Sequence, residues 1–304
     1  MAGNLKMKKP YWLNKKIDLE KNRKIKTLLR GFSLSTVCEN ALCPNISECF
    51  SCGVATIMIM GTSCTRSCSF CAVHKSQPLP LDADEPLRVS QAVLKLKLNY
   101  VVLTSPTRDD LPDGGAAHFA RVVSAVKSIP EKVNPVRADG HSASAHKPAS
   151  NGVKVEILVP DFCGNEKSFS VIAACGADVI AHNVETVPFL YTKVRQGADY
   201  ARSLGLLRYL KKASTGTLTK SGIMLGLGET KSEIFDVMCD LRAAYVDILT
   251  IGQYLAPSPK HYSVKEYILP EIFAALGEEA IKLGFKHVQS SPYTRSSYLA
   301  SSLV

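Results

Sequence analysis

The chain has 304 residues, 46% hydrophobic and 21% charged, with ten cysteines and a formal net charge of +10. Such a length buries a substantial core without disulfide staples, and no apolar run approaches the roughly 20 residues of a membrane span. The charge is local, because residues 1–30 hold ten Lys and Arg against Asp18 and Glu20, so a basic arm rather than a basic body carries it and no nucleic-acid partner is implied.

The N-terminus lacks the apolar core of a secretory signal, so a cytoplasmic protein with no membrane association is expected. Thiols stay reduced there, and clustered cysteines bind metal rather than pair. Residues 1–9 read as a loose tail. Asp18 can cap a helix that carries Leu19, Ile25, Leu28 and Leu29 to a stop at Gly31. Then comes Cys38-x4-Cys43-x5-Cys49, with Cys52 close behind; Pro44 and Asn45 point to a loop in which three thiolates converge.

A second triplet, Cys64-x3-Cys68-x2-Cys71, follows the apolar run Ala55–Met60. Three thiolates so close suit a polynuclear iron–sulfur site, where a four-iron cube with three protein ligands keeps one iron corner open for a substrate or cofactor. A zinc site would need a fourth ligand, and His74 is the local candidate. Two triplets imply two metal centres.

From Val54 the pattern alternates. Strands are predicted at Ala55–Met60, Tyr100–Thr104, Val153–Val159, Asp178–His182, Ser221–Leu225 and Asp247–Ile251. Helical periodicity covers Val89–Leu98, His118–Ser128, Phe169–Cys175, Tyr200–Ala213, Ser232–Ala244 and Glu271–Leu283. Six strand–helix units with right-handed crossovers predict an α/β fold, a partial (β/α)6 TIM-like barrel whose functional residues sit at the C-terminal strand ends. The stretch 130–152, rich in Ser, Ala, Pro and His, reads as a surface insertion without chemistry, so His141 and His146 are taken as solvated.

The strand ends supply candidate ligands: Thr104 with its neighbours, Asn183 and Glu185 for hydroxyls or an amino-acid head group, and Arg195 for a carboxylate. Phe70 either packs in the core or lies beside a bound adenine. The Gly-rich turn Gly226-Leu227-Gly228 lets backbone approach a ligand.

In order along the chain, the two triplets, Arg108–Gly115 (RDDLPDGG), His182–Pro188 (HNVETVP), Ser221–Thr230 (SGIMLGLGET), Thr250–Ser258 (TIGQYLAPS) and the terminal Arg295–Tyr298 (RSSY) resemble the lipoyl synthases, a family of radical S-adenosylmethionine (SAM) enzymes. The resemblance implies that Cys64, Cys68 and Cys71 hold a [4Fe–4S] cluster that binds SAM, with Phe70, Thr104, Asn183, Glu185 and Arg195 around the cofactor. It further implies a second [4Fe–4S] cluster on Cys38, Cys43, Cys49 and Ser297, which donates two sulfurs to C6 and C8 of an octanoyl chain on a carrier lysine. The implied partners are octanoylated lipoyl domains (2-oxoacid dehydrogenase E2 subunits and the glycine cleavage H protein), an external electron donor and an iron–sulfur carrier that rebuilds the spent cluster.

The matching organisation is an N-terminal extension at 1–53, a barrel at 54–285 and a C-terminal extension at 286–304. Three departures stand out: the insertion is longer than the family's, Thr104–Thr107 (TSPT) replaces a usual TSVD, and Leu299 stands where His is common. The rival readings are a two-cluster electron-transfer protein, a nucleic-acid binder with a cysteine-held metal, and a biotin-synthase-like sulfur-inserting enzyme.

Overall fold

The computed structural model describes residues 8–14, 23, 27–40, 43, 45–51, 54–129, 152–214 and 216–303. Cys52, His141 and His146, and nearly all of the 130–152 insertion, lie outside them, as does most of the basic arm.

One sheet organises the molecule. A short β1 (Ser35–Thr36) runs antiparallel to β2 (Val54–Met58). From β2 the order continues in parallel through β3 (Tyr100–Thr104), β4 (Lys154–Leu158), β5 (Val179–Ala181), β6 (Leu218–Leu225), β7 (Ile248–Gln253) and β8 (His287–Ser290). The sheet stays open, since β1 and β8 are its two ends. This is the expected partial barrel with two strands more than the six predicted, the antiparallel β1 at one end and the parallel β8 at the other. Strand β8 escapes the apolar pattern because its sequence is His-Val-Gln-Ser and no residue in it is fully buried.

Each strand from β2 to β7 is followed by a helix. After α1 (Val37–Asn40) and α2 (Ile46–Ser51) come α3 (Glu85–Lys95), α4 (Ala116–Lys127), α5 (Glu166–Ala173), α6 (Tyr200–Ala213), α7 (Lys231–Ala243) and α8 (Pro270–Lys282). Local chemistry fixes their starts. Asn165 and Asp199 accept backbone N–H groups at the heads of α5 and α6, and Thr230 with Glu233 forms a capping box on α7.

The two-residue period of a strand divides its side chains between two environments. Val101, Leu103, Val155, Ile157 and Ile180 face the helices and bury against Val93, Phe119, Val122 and Ile172. Ile223, Leu249 and Ile251 do the same against Val237, Leu241 and Phe273. Each such side chain contributes about 1.5–3 kcal/mol on burial.

The alternate residues line the lumen. Deep inside, Lys220 Nζ donates to both Glu156 oxygens at 2.9 and 3.1 Å, and Tyr100 Oη donates to Glu156 at 2.6 Å. All three are buried. Below them the terminal 3-10 turn Ala300–Leu303 packs inward, Ala300 against Tyr100 and Val102 and Leu303 against Val179 and Ile248. The lumen is thus a packed core at one end and open at the other.

Candidate active site

At the C-terminal strand ends lies a cavity of about 520 Å³, within the range of small-molecule sites. Its lining includes Cys64, Cys68, Cys71, Cys38, Cys43 and Ser297. The two triplets, apart in sequence, therefore open onto one space. Cys49 is buried nearby and contributes electrostatically to Cys38 but does not line the cavity.

The loop after β2 is launched by Met60 in the left-handed region at φ 64°, a strained conformation for a non-glycine residue. Its N–H donates to buried Glu85 at 2.9 Å and its carbonyl accepts from Arg108 at 3.2 Å. His118 holds Glu85 in turn at 2.6 Å. Further along, Ser69 N–H donates to Val194 O, and Tyr262 N–H donates to Ser69 O. Arg66, between the first two cysteines, pairs with Asp109 at 2.7 Å and Asp161 at 2.5 Å. The triplet is gripped on every side.

The thiols carry the electrostatics of a cluster site. The Cys64 Sγ accepts backbone N–H groups from Arg66 at 3.4 Å and Thr107 at 3.3 Å. Burial, together with the neighbouring Cys68 and Cys64, pushes the Cys71 thiol up to about 11, and burial likewise raises Cys68, against the opposing pull of Arg195. Burial, then Cys43 and Cys49, push Cys38 up to about 12. Thiolates crowded in a dry pocket are unstable until positive charge joins them, and an iron core bound by thiolates supplies it. Among the described residues no three His, Cys, Asp or Glu side chains stand as a preformed metal-ion site, while thiols in triplets are the donors that iron–sulfur clusters take. The donor set fits a polynuclear cluster.

Around the first triplet, Asn183 Nδ2 donates to Glu185 at 3.1 Å, while Asn183 Oδ1 is buried without a partner and the residue lines the cavity. A buried acceptor of this kind calls for a ligand donor. Glu185 sits at φ 68°, and burial raises its carboxyl while Arg195 and Asn183 pull it down. Gly222 permits this crowding, since a Cβ there would stand 2.5 Å from Thr250 Oγ1 and 3.1 Å from Asn183 Oδ1.

Arg195 donates to Tyr191 Oη at 2.8 Å and Ser203 Oγ at 3.1 Å, and its guanidinium lies over the Tyr191 ring. Much of its donor capacity is already used. Thr104 lines the cavity with its hydroxyl given to Leu158 O at 3.1 Å. Phe70 lines it too, and its ring packs on the Val184–Leu225 core. His74 is exposed in a two-residue pairing of His74–Lys75 with Ser63–Cys64.

The second triplet differs from the expected loop: Cys38 lies on α1 and Cys49 on α2, with Cys43 between. The C-terminal segment closes over it. Asn45 Nδ2 donates to Tyr293 O at 2.6 Å, and Tyr298 Oη donates to Glu48 at 2.9 Å. Gly252 lets this segment pass, because a Cβ there would meet Thr294 backbone at 3.0 Å or less. Arg295 lines the cavity; burial lowers its pKa, and the neighbouring Cys43 opposes that. Sequence reading gave no role to Arg66, Asp161, Gly252 or Arg295. Of these, Gly252 lies within the TIGQYLAPS run and Arg295 within RSSY.

A family model described as the Radical SAM superfamily matches residues 58–241. A solved structure, Streptococcus suis SuiB bound to S-adenosylmethionine, shares the fold at a TM-score of 0.56 and 11% identity, over 89% of this chain and 60% of that one. Fold, cysteine spacing and family model together define the class as radical SAM. Curated relatives narrow it. The lipoyl synthase of Caldanaerobacter subterraneus subsp. tengcongensis is 50% identical over 97% of this chain and 96% of its own, and that of Geobacter sulfurreducens is 49% identical over 97% and 90%. The chain belongs to the lipoyl synthase family.

Proposed function

We propose that this protein inserts two sulfur atoms, at C6 and C8, into an octanoyl chain borne on a lysine of a lipoyl carrier domain. Membership of a radical SAM family of lipoyl synthases makes it an enzyme that uses SAM and [4Fe–4S] clusters. Cys64, Cys68 and Cys71 hold the SAM-binding cluster. Bound there, the cluster would supply the electron for reductive cleavage of SAM and so the radical chemistry that removes hydrogen from the octanoyl carbons. Asn183 and Glu185 offer an acceptor and a carboxylate to the cofactor's polar groups, Arg195 offers positive charge, and Phe70 and Thr104 shape the wall.

Cys38, Cys43, Cys49 and Ser297 hold the second cluster, which is consumed as the sulfur source. An alkoxide is a harder ligand than a thiolate and less well matched to iron–sulfur chemistry, so Ser297 would hold its iron more loosely than the three cysteines hold theirs. The buried lining excludes water from the radical. The extensions at 1–53 and 286–304 close the site over the barrel at 54–285. The octanoylated carriers are E2 subunits of 2-oxoacid dehydrogenases and the glycine cleavage H protein. An external reductant and an iron–sulfur carrier complete a turnover in the cytoplasm. Among the described residues no helix is long and apolar enough to cross a membrane.

The observation that carries this reading is the shared cavity: thiols of both triplets and Ser297 line one space. The test incubates reconstituted protein anaerobically with SAM, a reductant and an octanoylated carrier domain. Iron and sulfide at about eight each per chain, and a carrier mass gain of two sulfurs for two hydrogens, are expected. A zinc-only protein, or SAM cleavage with no carrier mass change, overturns it.

A further inference from the structure

Several arginines near the barrel mouth are held by carboxylates, and Arg195, which is not, has its guanidinium taken up by Tyr191 and Ser203. Arg66 pairs with Asp109 and Asp161, Arg88 with Asp82, Arg108 with Asp110, and Arg202 with Asp161. Arg295 has no carboxylate partner among the described residues. Its hydrogen bond runs from Nη1 to the carbonyl of adjoining Thr294 at 2.6 Å, which leaves most of its five donors unused. The cation nevertheless lines the cavity, and its Nη1 stands 3.4 Å from where a Gly252 Cβ would be. A guanidinium stays protonated even where burial disfavours it, and a half-buried cation with no counter-anion lacks the partner that offsets its lost hydration.

The wall it shares contains Cys38, Cys43 and Ser297. The anchors that present Ser297 also present Arg295: Tyr293 O on Asn45, and Tyr298 Oη on Glu48, flank the pair. Glu48, a nearby acid, accepts from Tyr298. The missing anion is therefore what the site binds. Three thiolates and an alkoxide around an iron–sulfide core make a net anionic group, and nearby charge is one of the levers that set its reduction potential.

We propose that Arg295 is the counter-charge of the second iron–sulfur site, holding the cluster on Cys38, Cys43, Cys49 and Ser297 and setting its reduction potential. This rests on the assignment of that cluster to those four residues. A cation stabilises the more negative, reduced form over the oxidised one, so its removal moves the midpoint to more negative values. Charge, not shape, is the operative property, since Lys delivers a cation without the planar fork.

The experiment compares reconstituted wild-type protein with Arg295→Met and Arg295→Lys, by redox titration of the second cluster and by iron release to a chelator. The Met variant is expected to have a more negative midpoint and about 10–100-fold weaker cluster retention, the range for partners next to metal ligands, with Lys recovering most of both. A Met variant that fails to acquire the second cluster while Lys acquires it supports the proposal equally. Equal midpoints and iron release in Met and wild type overturn it, as does a Lys variant as impaired as Met. A parallel Cys43→Ala protein separates the two layers: if it keeps both clusters, the ligand assignment fails, whatever Arg295 does.

Discussion

Replacing Gly252 by alanine tests whether the C-terminal segment is seated by close backbone approach. An added Cβ would stand 3.0 Å from the Thr294 carbonyl carbon, with the oxygen nearer still. The obstacle is backbone, so no rotamer change relieves it. Thr294 is buried, its N–H donates to Ser291 O, and its hydroxyl pairs with Ser291 Oγ at 2.9 Å. Relief therefore means moving residues 291–295 as a unit, against the Asn45–Tyr293 and Gln253–Pro292 bonds. Overpacking of this kind costs about 1–3 kcal/mol, and a melting temperature moves by about 2–4 °C per kcal/mol in a chain of this size class. The same shift withdraws Ser297 from the second triplet, so lipoyl formation falls further than 5′-deoxyadenosine release. Calorimetry and product analysis on one preparation check both. An alanine variant that melts with the wild type and forms lipoyl groups at the wild-type rate refutes the reasoning.

Other outcomes follow from the same geometry. Lys220→Met leaves Glu156 charged and buried, and is expected to destabilise by about 3–5 kcal/mol in urea titration, whereas the Lys220→Met/Glu156→Leu double variant recovers much of the loss; equal losses would discount the ion pair. Cys68→Ala removes a cluster ligand and is expected to abolish 5′-deoxyadenosine production from SAM, read by chromatography. His182 is buried between Val159 O and Ser203, and burial, then Arg195, hold its pKa down to about 3 from 6.5. The unfolded chain binds the extra proton, so its contribution is full above pH 6.5 and is lost as pH falls from 6.5 toward 3. Urea midpoints at pH 7.5 and 5 should diverge less in His182→Gln than in wild type, and equal divergence would remove His182 as the cause.

The repeating core was legible because its signal is periodic. Tyr100–Thr104 and Tyr200–Ala213 have the predicted bounds, and the remaining paired strands and helices differ by a few residues. Strand β8 was not legible, since its stability comes from pairing with β7 at the sheet's end rather than from an apolar face. Helices α1 and α2 were hidden by Pro44 and Asn45, which read as loop-formers in the sequence; Asn45 is the residue just before α2. The cysteines were legible because thiolate ligands need particular spacing. Arg66, Glu156 and Lys220 were not, because a buried charge is marked by its partner, and each partner here lies 43 to 95 residues away. Arg295 was read as part of a motif and given no role, since nothing in RSSY shows which carboxylates are missing around it.

The contacts that close the second triplet span nearly the whole chain: Asn45 to Tyr293 covers 248 positions and Tyr298 to Glu48 covers 250. Synthesis runs from the N-terminus, so Cys38, Cys43 and Cys49 emerge first and wait for the segment that covers them. The first triplet is gripped by residues no later than Tyr262. The backbone contacts that hold the first triplet's loop can thus form before the segment that covers the second triplet has been made.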